Sequence, residues 1–482
     1  MNLDRERRRL TRTTPPGLVV VSLAAAGLVA SFMQTIVIPI QNDLPELLGA
    51  PRADTAWIVT ITLLVAAVST PIAGRLGDMF GKRRLALVSL GIMIVGSIVA
   101  AVVPGIAGLI IGRGLQGVGM GVVPLGISIM RDTLPERTLP SGIALMSATL
   151  GIGGAVGLPI SAIVSENADW HLLFWMAAGL GVLCFVMMIA LVPPSVLRTP
   201  GRFDVVGAIG LAIGLVGVLL AISRGNEWGW TSLPTLAWGL GGVVVLFVWG
   251  WYELRAPNPL ADLRVAARPS VLITNLSSLF LSFGLFTFNI AVPQYLETPL
   301  ETGAGLGLSL LETSLVLLPS GLMMLVLSPI SGRLITRFGP KAILLSGAIV
   351  QAIGYIVLAI DMSTVWQALV VSVIIGSGMG LAFAAIPTII MRSVPVTESA
   401  AANGINALMR SFGTTVAAAV VGAVLAALTA PFGGYDIPTD AAFTVTFLVG
   451  LVAAALSAVL GAFIPRHVHR PAGERTALPG AD

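Results

Sequence analysis

The 482-residue chain is 56% hydrophobic and only 10% charged, with a mean hydropathy of +0.95 and a formal charge of +4. Soluble domains carry about 25% charged residues, so this chain cannot clothe a water-facing surface. A soluble enzyme, a DNA-binding protein and a disordered scaffold are excluded, and an all-α polytopic membrane protein is expected.

Apolar runs bounded by proline, glycine or charge predict fourteen spans. They lie near 17–41, 54–74, 85–104, 107–131, 139–165, 170–192, 205–224, 233–252, 269–296, 311–335, 341–361, 365–390, 400–428 and 441–464. The first run follows Arg5, Arg7, Arg8 and Arg9 and so resembles a signal peptide, but its length and the polar pair Gln34–Thr35 predict a retained helix. Of the 27 Lys and Arg residues, 23 fall in the termini and in alternate loops on one side. The opposite loops hold Arg52 and Arg224, while Arg113 and Arg410 lie inside spans. Lysine and arginine set orientation, so both termini are predicted to be cytoplasmic. Topology then accounts for the basic charge, and no nucleic-acid partner is expected. Arginine far outnumbers lysine, and alanine and glycine are abundant, a usage that points to a GC-rich bacterial genome.

Cys184 is the single cysteine, which excludes an intramolecular disulfide and a cysteine metal cluster. His467 and His469 in the tail have no companion ligands, and no metal site is predicted. There is no Gly-x4-Gly-Lys-Ser/Thr loop to bind ATP and no His-Glu-x-x-His helix. No cofactor or catalytic residue is expected.

The segment Gly74-Arg75-Leu76-Gly77-Asp78-Met79-Phe80-Gly81 returns as Gly332-Arg333-Leu334-Ile335-Thr336-Arg337-Phe338-Gly339. Met130-Arg131 returns as Met391-Arg392, and Gly142-Ile143 as Gly404-Ile405. The chain therefore divides into a first half of six spans (1–192), two inserted spans with flanking loops (193–268), expected to be peripheral, and a second half with its tail (269–482). Parallel six-helix halves with a site at their interface are the architecture of rocking secondary transporters.

These residues resemble a known family. Gly74-x-Leu76-x-Asp78-x-x-Gly81-Lys82-Arg83-Arg84 resembles the signature between spans 2 and 3 of the major facilitator superfamily. Arg113-x-x-Gln116-Gly117-x-Gly119 is similar to the span 4 motif of its proton-driven exporters. Phe203-Asp204-x-x-Gly207, with Glu253-x-Arg255 and Pro259-Leu260, resembles the 14-span drug:proton antiporters of the QacA/EmrB type.

The resemblance implies roles for particular residues. Asp78, flanked by Gly74, Arg75, Gly77, Gly81, Lys82 and Arg83, is expected to be a conformational latch that pairs with Arg131 and faces a helix N-terminus of the other half. Thr336 replaces the acid in the second copy, so the latch is expected on one side only. Arg113 with Gln116 is expected to line a polar face and to couple protons, or else to be a structural arginine held by backbone carbonyls. Gly153, Gly157 and Pro159, with Gly151 and Gly154, are similar to the antiporter motif of span 5, although Pro159 lies one place late and Ser161-Ala162 replace the final glycine pair.

Span 1 departs from the pattern, with Met33-Gln34-Thr35 where the family has Asp-x-Thr. No acid falls at mid-membrane, because Asp43, Asp54, Glu166, Asp169, Glu297 and Asp361 all sit near the outer ends. Proton coupling must then use a rim acid such as Asp43 or Glu166, or His171, or be absent. Met33, Gln34, Thr35, Asn275, Asn289, Gln294, Asn406 and Arg410 are the candidate cavity residues. Arg410 is either an anion contact or a capped structural charge.

The reading is a multipass protein of the bacterial inner membrane, active as a monomer, that exports lipophilic or amphipathic small molecules by proton antiport. An uncoupled lipid or metabolite exporter of the same fold is the alternative. The expected partners are the substrate, protons and the lipid bilayer.

Overall fold

The computed structural model describes residues 15–41, 44–55, 57–195, 197–198, 201–360, 362–432 and 435–465. Asp43, Asp361 and the residues before 15 and after 465 lie outside that set. Fourteen described helices are long and apolar enough to cross a membrane. They run Pro16–Thr35, Trp57–Phe80, Lys82–Val102, Gly105–Thr133, Leu139–Asn167, His171–Leu191, Val205–Trp228, Leu233–Glu253, Pro269–Glu297, Leu310–Phe338, Pro340–Ile360, Val365–Ser393, Val396–Ala427 and Asp440–Phe463, numbered spans 1 to 14. The face that holds the turn between spans 2 and 3 is called the basic face.

Two expected spans differ in shape. Span 1 is helical only to Thr35 rather than to 41, and Ile36–Gln41 form turns. Pro39 has no amide to continue the helix ladder, yet Ile36, Val37 and Ile40 remain buried. Span 4 is two helices, Gly105–Gly119 and Val122–Thr133. Pro124 cannot donate to the carbonyl of Met120, which breaks the ladder at that point.

Apolar burial follows the internal repeat. One core is built from spans 1 to 6, around Leu23, Phe32, Met33, Leu90 and Phe174. A second is built from spans 9 to 14, around Leu281, Phe288, Tyr355, Phe443 and Phe447, and it takes in Ala144, Ala148 and Ile152 of span 5. The glycines of the repeated segment explain why it recurs. Gly81 (φ 108°) and Gly339 (φ 83°) make the sharp turns into spans 3 and 11 with backbone angles that side chains disfavour. A Cβ on Gly74 would lie 2.5 Å from the Ala400 carbonyl oxygen of span 13, and one on Gly332 would lie 2.5 Å from the Ser141 hydroxyl of span 5. Each half therefore presses a glycine-bearing helix against the other at the basic face.

The inserted spans are not equally peripheral. Span 8 exposes most of its surface, including Leu233, Phe247, Val248 and Trp251. Span 7 instead packs between spans 2 and 13: Leu211, Leu215 and Leu219 join Leu64, Ala67 and Leu408 in one cluster. Its Asn226 amide donates to the Ala419 carbonyl of span 13 (2.9 Å), and its Arg224 guanidinium lies 4.4 Å from the centre of the Trp57 ring of span 2. Span 7 thus touches both halves. A short hairpin, Thr429–Phe432 paired antiparallel with Tyr435–Pro438, links spans 13 and 14.

Candidate functional site

The densest polar cluster on the basic face joins the two halves. Asp78, 1% exposed, accepts hydrogen bonds from the backbone amides of Ala401 (2.9 Å) and Ala400 (3.4 Å). These amides open the helix Ser399–Ala427, whose unpaired N–H groups and positive dipole end favour a carboxylate. Lys82, one turn beyond Asp78, lies 3.6 Å from its carboxylate. The Lys82 ammonium also donates to both oxygens of Asp132 (3.0 and 2.8 Å) and to the Ser399 hydroxyl (3.0 Å). One buried lysine therefore bridges span 2, the end of span 4 and the start of span 13.

Asp78 was expected to pair with Arg131, and the ion pair that the structure gives it is with Lys82. Arg131 also reaches the second half, where it donates to the carbonyls of Val394 (3.1 Å) and Pro395 (3.4 Å). Asp132 and Ser399, which the sequence reading missed, complete the cluster. Asp132 adjoins the singled-out Arg131, and Ser399 opens span 13. Gly77 lets span 2 approach Leu125, since a Cβ there would lie 2.2 Å from that side chain. Arg83 turns away from the cluster, donating to the Ile189 carbonyl (2.7 Å), while half-buried Arg75 lines a cavity of about 140 Å³ with Pro259, Asp262 and Glu398. In the second copy exposed Thr336 bonds the carbonyl of Arg333.

Arg113 is 1% exposed and faces packed helices rather than a cavity. It donates to the carbonyls of Met33 in span 1 (2.5 Å) and Ile58 in span 2 (3.3 Å), and to the Gln116 carboxamide oxygen (2.8 Å). The Gln116 amide continues the chain to the Ser97 hydroxyl of span 3 (2.9 Å). Arg113 thereby ties spans 1, 2 and 4 together, and Gln116 adds span 3.

The glycines of span 5 form a seam with span 1. A Cβ on Gly153 would lie 2.5 Å from that of Ser31, and one on Gly157 would lie 2.3 Å from the Thr35 hydroxyl. Ser31 donates to the Leu150 carbonyl (2.5 Å), Thr35 to that of Gly153 (3.4 Å), and Ser161 to that of Ile36 (2.5 Å). Pro159 is buried inside the helix. Gly151 faces the second half, where a Cβ would collide with Met324 of span 10. Gly154 has room for a methyl group, 3.5 Å from Thr35. Gly153→Ala and Gly157→Ala should therefore lower the melting temperature through overpacking, at about 1–3 kcal/mol each. Gly154→Ala should leave it within error, and equal shifts in a thermal melt of all three would contradict the seam.

The candidate cavity residues separate into four kinds. Met33 is fully buried with its sulfur 3.8 Å from the Ser97 hydroxyl of span 3, so it is a packing residue and lines no cavity. The side chains of Asn406 and Asn275 bond each other (3.0 Å) across spans 13 and 9. Asn289 and Gln294 are exposed on span 9, and Gln34 and Thr35 are half-buried. Arg410 is half-buried, with its guanidinium 5.8 Å from the centre of the Phe383 ring of span 12.

Of the rim candidates, Glu166 is exposed at the end of span 5 and Asp43 lies outside the described residues. His171 bonds the carboxylate of Asp169 through its backbone amide (2.9 Å) and its ring (2.5 Å), which holds the Asp169 carboxyl below its usual range. No group of three or more His, Cys, Asp or Glu that could hold a metal occurs among the described residues.

A second polar joint closes the inserted spans on the basic face. Asp204 caps span 7 through the Gly207 amide (2.7 Å) and accepts from the Tyr252 hydroxyl (3.0 Å). The buried Glu253 at the end of span 8 accepts from the Ala261 amide (2.9 Å). Here the Asp204 and Glu253 motifs, noted in the sequence only as a likeness, acquire a structural reason.

Comparison with known proteins fits this architecture. The chain is 26% identical over 421 residues to the multidrug resistance protein Stp of Mycobacterium tuberculosis, covering 85% of this chain and 76% of that one. It is 28% identical over 337 residues to the lincomycin resistance protein LmrB of Listeria monocytogenes, covering 70% of each. It is 25% identical over 434 residues to the multidrug transporter protein MdtP of Bacillus subtilis, covering 88% and 77%. Among solved structures, the human organic anion transporter MFSD10 has the same fold, with a TM-score of 0.64 at 14% identity over 92% of this chain and 99% of that one. The family model of the Major Facilitator Superfamily matches residues 23–296 and again 274–480. The chain therefore belongs to the Major Facilitator Superfamily, and it is a multipass membrane transporter rather than an enzyme.

Proposed function

We propose that the protein exports amphipathic small molecules from the bacterial cytoplasm by alternating access, driven by inward proton movement. The observation that carries the reading is the Asp78–Lys82–Asp132–Ser399 cluster. It holds the two halves together on one face through a few polar contacts that can break and re-form as a unit. The basic face is the cytoplasmic one by the distribution of arginine and lysine, so the described state is closed toward the cytoplasm. Substrate enters when the cluster opens and leaves on the opposite side once it has re-formed. Each proton moving inward supplies about 2.3 kcal/mol per 100 mV. The monomer contains both halves and needs no partner to form the pathway. The drug-resistance names of bacterial relatives at 25–28% identity support export as the direction and the bacterial inner membrane as the location.

One observation favours a second reading, an exporter without proton coupling. Met33 stands where a proton-carrying acid was expected, and it is sealed against span 3. Accumulation of a panel of amphipathic dyes in cells expressing the chain separates the two. Antiport predicts reduced accumulation that an uncoupler restores. Reduced accumulation that persists with the membrane potential and the pH gradient both collapsed would favour the uncoupled reading.

A further inference from the structure

The guanidinium groups of Arg113 and Arg410 lie more than two helical turns from either end of their spans, and the protein treats them differently. That of Arg113 is spent on two backbone carbonyls and a carboxamide within the first half. Arg410 stands at the twelfth residue of the helix Ser399–Ala427, about 16 Å along its axis at 1.5 Å per residue. Among the described residues no hydrogen-bond acceptor or carboxylate pairs with its guanidinium, whose one recorded contact is the face of Phe383.

That contact fixes where the charge points. Phe383 is a 3%-exposed residue of span 12, so the guanidinium is turned inward within the second half while remaining half open itself. Half-buried Thr414 stands one turn further along, and the Asn406–Asn275 pair stands one turn back toward the basic face. Arginine stays charged in proteins. A charge at this depth is costly unless it meets a partner or a water-filled space. The buried carboxylate of Asp78 is engaged by Lys82 and the amides of span 13 at the basic face.

We infer that Arg410 is the recognition group for the anionic head of an amphipathic substrate, a carboxylate or sulfonate. The inference rests on the proposed export function and names its substrate class. A planar guanidinium donates two parallel hydrogen bonds to such a head, and a lipophilic cation would meet an unscreened like charge instead.

The test uses the full chain in liposomes of zwitterionic lipid and three probes: anilinonaphthalene sulfonate, its uncharged parent anilinonaphthalene, and tetraphenylphosphonium. The wild-type protein should bind and transport the sulfonate about tenfold better than the parent. Arg410→Gln should remove that preference, and Arg410→Lys should restore most of it. The comparison of sulfonate with parent needs no variant, so it stands even where a substitution fails to fold. Equal handling of sulfonate and parent, an unchanged preference in folded Arg410→Gln, or transport of the cation alone would overturn the inference and leave export standing. Transport of none of the three would overturn the export reading and this inference with it.

Discussion

Asp78→Asn should reduce transport at least about tenfold while leaving expression, membrane insertion and melting temperature close to those of the parent. The substitution keeps the size of the side chain and one carbonyl oxygen able to accept from Ala401. It removes the negative charge that faces the opening turn of span 13 and lies 3.6 Å from Lys82. A hydrogen bond to a charged group is worth about 1.5–3 kcal/mol net, and the two states of a transporter differ by only a few kcal/mol. The loss therefore falls on the balance between states rather than on folding, because the cores around Phe174 and Phe288 are untouched. Lys82 keeps Asp132 as its partner, at 2.8 Å, so no buried ammonium is orphaned. Transport per reconstituted molecule is the measurement, and full activity in a well-folded Asp78→Asn protein would end the latch assignment.

Arg113→Ala carries the second large effect, and it falls on stability as well as transport. Removing the guanidinium strands the Met33 carbonyl and the Gln116 oxygen in the buried interior, while the Ile58 carbonyl keeps the Thr62 hydroxyl (3.3 Å). Each unsatisfied group costs about 1–3 kcal/mol, a large share of the margin by which proteins are stable. The melting temperature should fall by several degrees and the yield with it. Arg113→Lys should recover only part of the loss, because one ammonium cannot reproduce the fixed fork that serves three acceptors on spans 1, 2 and 4. If Arg113 also couples protons, the folded fraction of Arg113→Lys should lose substrate-linked proton movement per molecule. Normal proton movement in that fraction would make Arg113 a structural residue alone.

Much of the architecture was legible in the sequence because a bilayer imposes a length and a polarity on each helix. Fourteen apolar runs became fourteen spans, and the repeated Gly74–Gly81 and Gly332–Gly339 segments marked where the halves meet. Less legible were features decided by single residues. The early end of span 1 and the break in span 4 turn on Pro39 and Pro124, whose effect on a hydrogen-bond ladder leaves no trace in hydropathy.

The site was legible in its residues but not in its partners. Asp78 and Lys82 stood out through the resemblance of their loop, and Arg113 with Gln116 because charge and amide groups are rare and costly inside spans. Which groups they meet depends on helix rotation and axial offset, and a single sequence specifies neither. Lys82 and Ser399 are 317 positions apart and share a hydrogen bond. Met33 illustrates the reverse. The span 1 position that seemed to open on a cavity is turned toward span 3, because a buried thioether gains more from packing than from facing water.

Substrate and proton movement measured together, with the purified protein in liposomes and an internal pH dye, test the central claim most directly. The panel should include anionic, neutral and cationic amphipathic compounds. Proton-coupled export predicts that adding a transported compound drives protons in the opposite direction, and that Asp78→Asn abolishes both fluxes together. Movement of the compound with no movement of protons, at matched membrane potential, would contradict it.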